Sequence, residues 1–172
     1  TLFGCDQALV TNLLTHVKGL LIHANAIVHN GNGFLLAGTT GSGKSTLTQM
    51  MEKEGFQVVA DDRMIIKMET NHDAVMHGSW FHGTTPTISK GRHHLTSIFF
   101  LEQADENKII PIEHPQEKIS KLLQSVVRPH VQAKAWNNLL DTVEELILSI
   151  DCYRLKFDLS GDIILSIKKI VK

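Results

Sequence analysis

The stretch FLLAGTTGSGKS, residues 34–45, decides how the rest of the chain is arranged. Phe34 to Ala37 form an uninterrupted apolar run, as a strand buried on both faces does. The next eight residues, Gly38-Thr39-Thr40-Gly41-Ser42-Gly43-Lys44-Ser45, match G-x-x-x-x-G-K-S. Glycines at these positions let the backbone curl until successive N–H groups converge on one anion, an approach that a Cβ would block. Beyond the loop, Leu47, Met50 and Met51 fall at i, i+3 and i+4, the spacing of one helix face. Such a helix directs the positive end of its dipole at the loop. Strand, loop and helix together predict a phosphate-binding loop running from Gly38 to Thr46. In it Lys44 reaches the β- and γ-phosphates and the Ser45 hydroxyl ligates Mg²⁺.

Upstream, residues 20–29 read as a strand, separated from the loop strand by Asn30-Gly31-Asn32. Asn-Gly is a strong hairpin signal, so the loop strand is expected to pair antiparallel with its predecessor. Residues 6–18, with Leu9, Leu13, Leu14 and Val17 behind Asp6, predict an amphipathic helix. Downstream, Glu54-Gly55 ends the loop helix, and strands are expected at 57–60, 64–68, 74–77, 95–101 and 108–112. Helices are expected at 116–126 and 130–149, broken at Arg128-Pro129, and two segments at 152–159 and 163–171 close the chain. Residues 78–92 lack periodicity and read as one long loop, the kind that often carries function. Within it, Lys90 and Arg92 are candidates to neutralise phosphate charge, as is Arg128, and Trp80-Phe81 either stack on a base or tuck under the loop. With no repeat or linker, residues 1–172 read as one catalytic domain.

Asp61-Asp62 stands at the end of the 57–60 strand. Phosphoryl transfer needs a carboxylate on the metal side and, where a hydroxyl is the acceptor, a base for its proton. Neighbouring residues of an extended segment face opposite ways, so one aspartate is expected toward the metal and the other toward the acceptor.

Composition narrows the classes. An apolar fraction of 42%, a mean hydropathy of −0.02 and a net charge of −1 fit an ordinary globular chain and argue against a nucleic-acid-binding surface. Cys5 and Cys152 form no C-x-x-C pair, which suits a reducing, cytoplasmic setting without a disulfide framework. No apolar run reaches membrane-spanning length, and no signal-peptide pattern opens the chain, which begins at Thr1 as an excised piece would. The ten histidines, His72, His77 and His82 among them, match no zinc motif and read as scattered.

His23, then GTTGSGKS, then VVADDR at 58–63, resembles the catalytic domain of HPr kinase/phosphorylase and the smaller HPr-kinase-like proteins of bacterial peptide-modification clusters. LIHANAIVHNGNGFLLAGTTGSGKSTL and the ADD stretch carry most of the likeness, with weaker echoes at 78–83, 94–103 and CYRLKF. The resemblance implies an α/β, phosphoenolpyruvate-carboxykinase-like fold with a mixed sheet, an antiparallel hairpin before the phosphate loop, and helices packed on the sheet. It implies serine phosphorylation with ATP or another nucleoside triphosphate and Mg²⁺, on a peptide or small-protein acceptor. By position, Asp61 matches the family's catalytic aspartate, Asp62 a metal-side acid, and His23 a histidine close to the active site, while Lys44 and Ser45 keep their loop roles. Longer family members carry an H-L-E-x-R-G-type segment after the acidic pair, which this chain lacks. Reverse phosphorylase activity and hexamer contacts are therefore not carried over, and oligomer formation is left open. The likeness is closer to the compact branch, some of whose members phosphorylate a serine on a small ribosomal peptide. Two other classes share the same loop: a nucleotide-binding module without transferase activity, and a kinase of free amino-acid or sugar hydroxyls.

Overall fold

The structure is a computed structural model that describes residues 3–79, 91–129 and 133–170, with side chains from residue 6 onward. Trp80, Phe81, His82 and Lys90 lie outside the described residues.

Helix α1 (Phe3–Thr15) leads into β1 (Gly19–His29), which turns through Asn30-Gly31 into β2 (Asn32–Ala37). Asn30 (φ 51°) and Gly31 (φ 83°) both take the left-handed conformation of a type I′ turn, whose twist matches an antiparallel hairpin. The register runs from His29↔Asn32 to Ala24↔Ala37, as the Asn-Gly signal predicts. α1 stops three residues before the expected end, and Lys18 takes φ 53°, which turns the chain into β1.

After the glycine-rich loop come α2 (Lys44–Lys53), β3 (Gln57–Ala60), β4 (Arg63–Met68) and β5 (Ala74–Gly78). β6 (Arg92–Gln103), β7 (Lys108–Pro111), α3 (Pro115–Leu123), α4 (Ala133–Ser149), β8 (Asp151–Phe157) and α5 (Ile163–Ile170) follow. The 152–159 segment is thus mostly strand, and α5 covers 163–170 of the segment expected at 163–171. β6 extends beyond its expected ends at both sides because its two halves belong to different ladders. Its first residues pair antiparallel with β5, and the remainder lies parallel to both β2 and β8. α3 ends at Leu123 because Val126 leaves the helix to bridge Ile22 of β1.

The result is a mixed sheet in which β1 and β6 are shared. One part orders β3-β1-β2-β6-β8-β7, and the other continues from β1 through β4 and β5 back to β6. β2, β6 and β8 are parallel neighbours, so their carboxyl ends open on one edge of the molecule. Side chains alternate across β2: Phe34 and Leu36 face α2 and α5, packing with Leu47, Met51, Ile163 and Ile167. Leu35 and Ala37 belong to the second core, to which α3 and α4 contribute Leu122, Leu139, Val143 and Leu146. Burial on both faces explains the continuous apolar reading of 34–37. No helix among the described residues is long and apolar enough to cross a membrane.

Candidate active site

A cavity of about 450 Å³ opens at the carboxyl end of β2. Thr40, Gly41 and Gly43 line it from the loop, and Lys44, Ser45 and Thr46 from the first turn of α2. His23 and Asn25 enter from β1, Asp61 and Asp62 from the bend between β3 and β4, and Gln103 from the last residue of β6. Strand, loop and helix follow one another as the sequence predicts, and the acidic pair is brought to the same cavity.

Two of the loop's glycines, Gly38 and Gly43, stand where a Cβ would meet a close neighbour. Gly43 caps α2 at φ 90°, and a Cβ there would stand 2.7 Å from Phe157 Cζ. At Gly38 a Cβ would meet Ser42 Oγ at 2.5 Å. Gly38, Thr39 and Ser42 build the loop without lining the cavity wall. Their task is internal: Ser42 N–H donates to the Thr39 carbonyl (3.1 Å), and the Gly38 and Thr39 carbonyls receive Lys44.

Lys44 is buried, its Nζ donating to Gly38 O (2.8 Å) and Thr39 O (3.1 Å). Burial holds its pKa below the usual lysine range, while the nearby Asp62 charge acts the other way. A partly desolvated ammonium held by two neutral carbonyls has charge to spare for an anion.

Asp61 and Asp62 occupy a bend rather than strand, so the alternation expected of an extended pair does not apply and both acids line one cavity. Asp61 is buried. Asp62 shares its two oxygens between His23 Nδ1 (3.1 Å) and Arg63 Nη1 (3.2 Å). Burial first, then the Lys44 charge, hold the His23 pKa below its ordinary value, and the Asp62 carboxylate pulls upward. The imidazole is therefore neutral at pH 7, and because a carboxylate only accepts, its proton sits on Nδ1.

Two lining residues escape a reading by motif. Asn25 is fully buried, its Nδ2 donating to Thr48 Oγ1 (2.8 Å), and its Oδ1 has no hydrogen-bond partner. The available signal was a polar residue on the same face of an apolar strand as His23, two positions on. Gln103, whose Nε2 donates to Gly41 O (3.3 Å), gave no signal, because only the parallel β2–β6 register brings it to the loop. Two candidate cations lie elsewhere. Arg92 starts β6 and pairs with Glu69 (2.8 Å). Arg128 is exposed and follows Val127, whose N–H bonds to Leu21 O, so the chain there runs away from His23.

The fold is shared with a solved structure described as the Hpr(Ser) kinase/phosphatase from Coxiella burnetii, at TM-score 0.50 and 17% sequence identity. The match covers 88% of this chain and 93% of that one. No curated protein matches the chain by sequence. The family described as "SynChlorMet cassette protein ScmC" matches residues 6–172, and the chain belongs to that family.

Proposed function

We propose that the chain is an ATP- and Mg²⁺-dependent phosphotransferase of the phosphoenolpyruvate-carboxykinase-like type, moving the γ-phosphoryl group to a serine hydroxyl of a peptide or small protein. One observation carries this reading: Asp61 and Asp62 line the same cavity as Lys44, Ser45 and the glycine-rich loop. The fold shared with a protein described as an HPr(Ser) kinase/phosphatase supports it.

In this reading the N–H groups of the loop and of the first turn of α2 hold the phosphate oxygens, and Lys44 turns from its two carbonyls to the β- and γ-phosphates. The Ser45 hydroxyl and the Asp62 carboxylate are hard oxygen donors in one cavity, a set that suits Mg²⁺ rather than a transition metal. Held there, Mg²⁺ would supply positive charge to offset the charge on the transferring phosphoryl group. Asp61 accepts the proton of the serine Oγ as that oxygen bonds the γ-phosphorus. The bond from phosphorus to the β-bridging oxygen breaks, and its electron pair leaves on ADP. His23, donating Nδ1–H to Asp62, holds that carboxylate in place.

The test is transfer of label from γ-labelled ATP into serine-containing peptides, including products of neighbouring genes. Wild type labels an acceptor, and Asp61→Asn abolishes labelling while retaining ATP binding. Labelling that persists in Asp61→Asn removes Asp61 from the base role, and a wild type that binds ATP yet labels nothing favours a nucleotide-binding module.

A further inference from the structure

Helices α4 and α5 lie on opposite faces of the sheet, and each leaves apolar side chains uncovered. Leu139, Val143 and Leu146 turn α4 inward to the core that holds Leu35 and Ala37. Ile163, Ile164 and Ile167 turn α5 inward to the core that holds Phe34 and Leu36. What remains outward on α4 is Leu140, Glu144 and Leu148, spaced i, i+4 and i+8, with Asp141 beside them. Leu148 has 67% of its surface exposed. A hollow of about 590 Å³ runs along this face, lined by Asp141, Glu144, Glu145 and Leu148 and by His72 from the turn between β4 and β5.

α1, packed beside α4, is apolar outward as well. Asn138 Nδ2 of α4 donates to Thr15 O (3.2 Å), and Lys18 pairs with Glu145 (2.8 Å). The inward side chains of α1 include Thr11 and Thr15, whose hydroxyls bond to carbonyls of the same helix, while Leu9 and Leu13 are exposed. A helix that buries threonine and shows leucine has an unpartnered apolar side, the mark of an interaction surface.

Charge identifies what covers the α4 face. Glu145 is taken by Lys18 and His72 (2.9 Å), but Asp141 and Glu144 make no ion pair or hydrogen bond among the described residues. Two such carboxylates among leucines fit a partner that is cationic and apolar at once. The chain carries one. α5 turns Leu165, Lys169 and Ile170 outward, Leu165 with 59% of its surface exposed. Lys168 is paired with Glu54 (2.9 Å), whereas Lys169 has no acid partner among the described residues. The sheet stands between α4 and α5 of one chain, so only another copy brings the two faces together. Such a contact joins unlike surfaces and builds a ring or an open chain.

We infer that the outer face of α5 in one copy docks on the acidic, leucine-bearing face of α4 in the next, with Lys169 set against Asp141 and Glu144. Sedimentation velocity over a range of protein concentrations tests it, with circular dichroism checking that each surface variant is folded. Wild type grows beyond monomer as concentration rises, and added salt reverses the growth. Glu144→Lys or Lys169→Glu alone sets like charges face to face and weakens association about tenfold or more. An equimolar mixture of those two variants assembles again, because each junction between unlike chains sets position 144 against an opposite charge at position 169. Leu148→Ser weakens association several-fold with no change of charge, and decides the matter if a reversal variant fails to fold. A wild type that stays monomeric throughout, association indifferent to these substitutions, or a mixture no better than its parts overturns the inference. A monomer whose acidic face captures only an added basic peptide gives that face to a foreign segment and overturns it as well.

Discussion

The His23 imidazole, the Asp62 carboxylate and the Lys44 ammonium line one cavity, and the carboxylate acts on the protonation of the other two. His23 is pressed toward neutrality by burial and by the Lys44 charge, against the pull of Asp62. Its titration, followed by NMR of the imidazole, is expected below the ordinary histidine value of 6.5, and lower still in Asp62→Asn. The sign for stability follows. The unfolded chain takes up a proton at His23 before the folded one does, so stability falls as pH drops from about 6.5 to the depressed folded midpoint, and rises with pH across the same window. His23→Gln should flatten that part of a stability–pH profile, and an unchanged slope would show that His23 does not carry it. On the proposed function, Lys44→Ala is expected to weaken Mg·ATP binding on the order of tenfold or more, read by calorimetry, because it would remove charge-assisted hydrogen bonds to phosphate. That the acids follow a short strand was legible, but the side to which each points was not. That depends on the bend between β3 and β4, which local pattern does not encode.

The glycine-rich loop and its flanking elements are where sequence and structure agree most closely, because their determinants are local. Asn30-Gly31 specifies the hairpin through two left-handed residues, and the glycine spacing specifies the loop through left-handed backbone at Gly41 and Gly43 and close neighbours at Gly38 and Gly43. Two substitutions distinguish backbone conformation from space. Gly41→Ala meets only the strain of a left-handed residue (φ 82°), with nothing within 4 Å of its Cβ, and should cost about 1–2 kcal/mol in chemical denaturation. Gly43→Ala adds a collision with the buried Phe157 ring to the same strain, and should cost more than Gly41→Ala by about 1 kcal/mol or more. Equal costs would mean that Phe157 gives way. Helix ends were less legible. α1 and α3 both stop early, the first before the left-handed Lys18 and the second because Val126 is taken as a partner by β1, a tertiary claim that no cap residue announces.

Across the whole molecule, the cavity gathers the loop after β2, residues of β1, the bend between β3 and β4, and the end of β6. The antiparallel hairpin could be read from its turn, but the parallel pairing of β2 with β6 and of β6 with β8 joins segments separated by long connections and leaves no local trace. The place of Gln103 beside the loop was invisible for that reason. Phe99 lies at the centre of this arrangement, fully buried, stacked on Tyr153 at 5.4 Å and tilted against Phe34 at 6.1 Å. Phe99→Ala should destabilise the fold by about 3–5 kcal/mol, as measured by denaturant unfolding. The central claim is that the loop and the acid pair form one phosphoryl-transfer site, and the structure of the chain with Mg²⁺ and a non-hydrolysable ATP analogue tests it most directly. The account predicts phosphate oxygens on the amides between Gly41 and Thr46, with the Asp61 carboxylate facing the open side of the γ-phosphorus across room for one hydroxyl oxygen. A triphosphate bound away from the loop, or a γ-phosphate with Asp61 turned from it, would contradict the account.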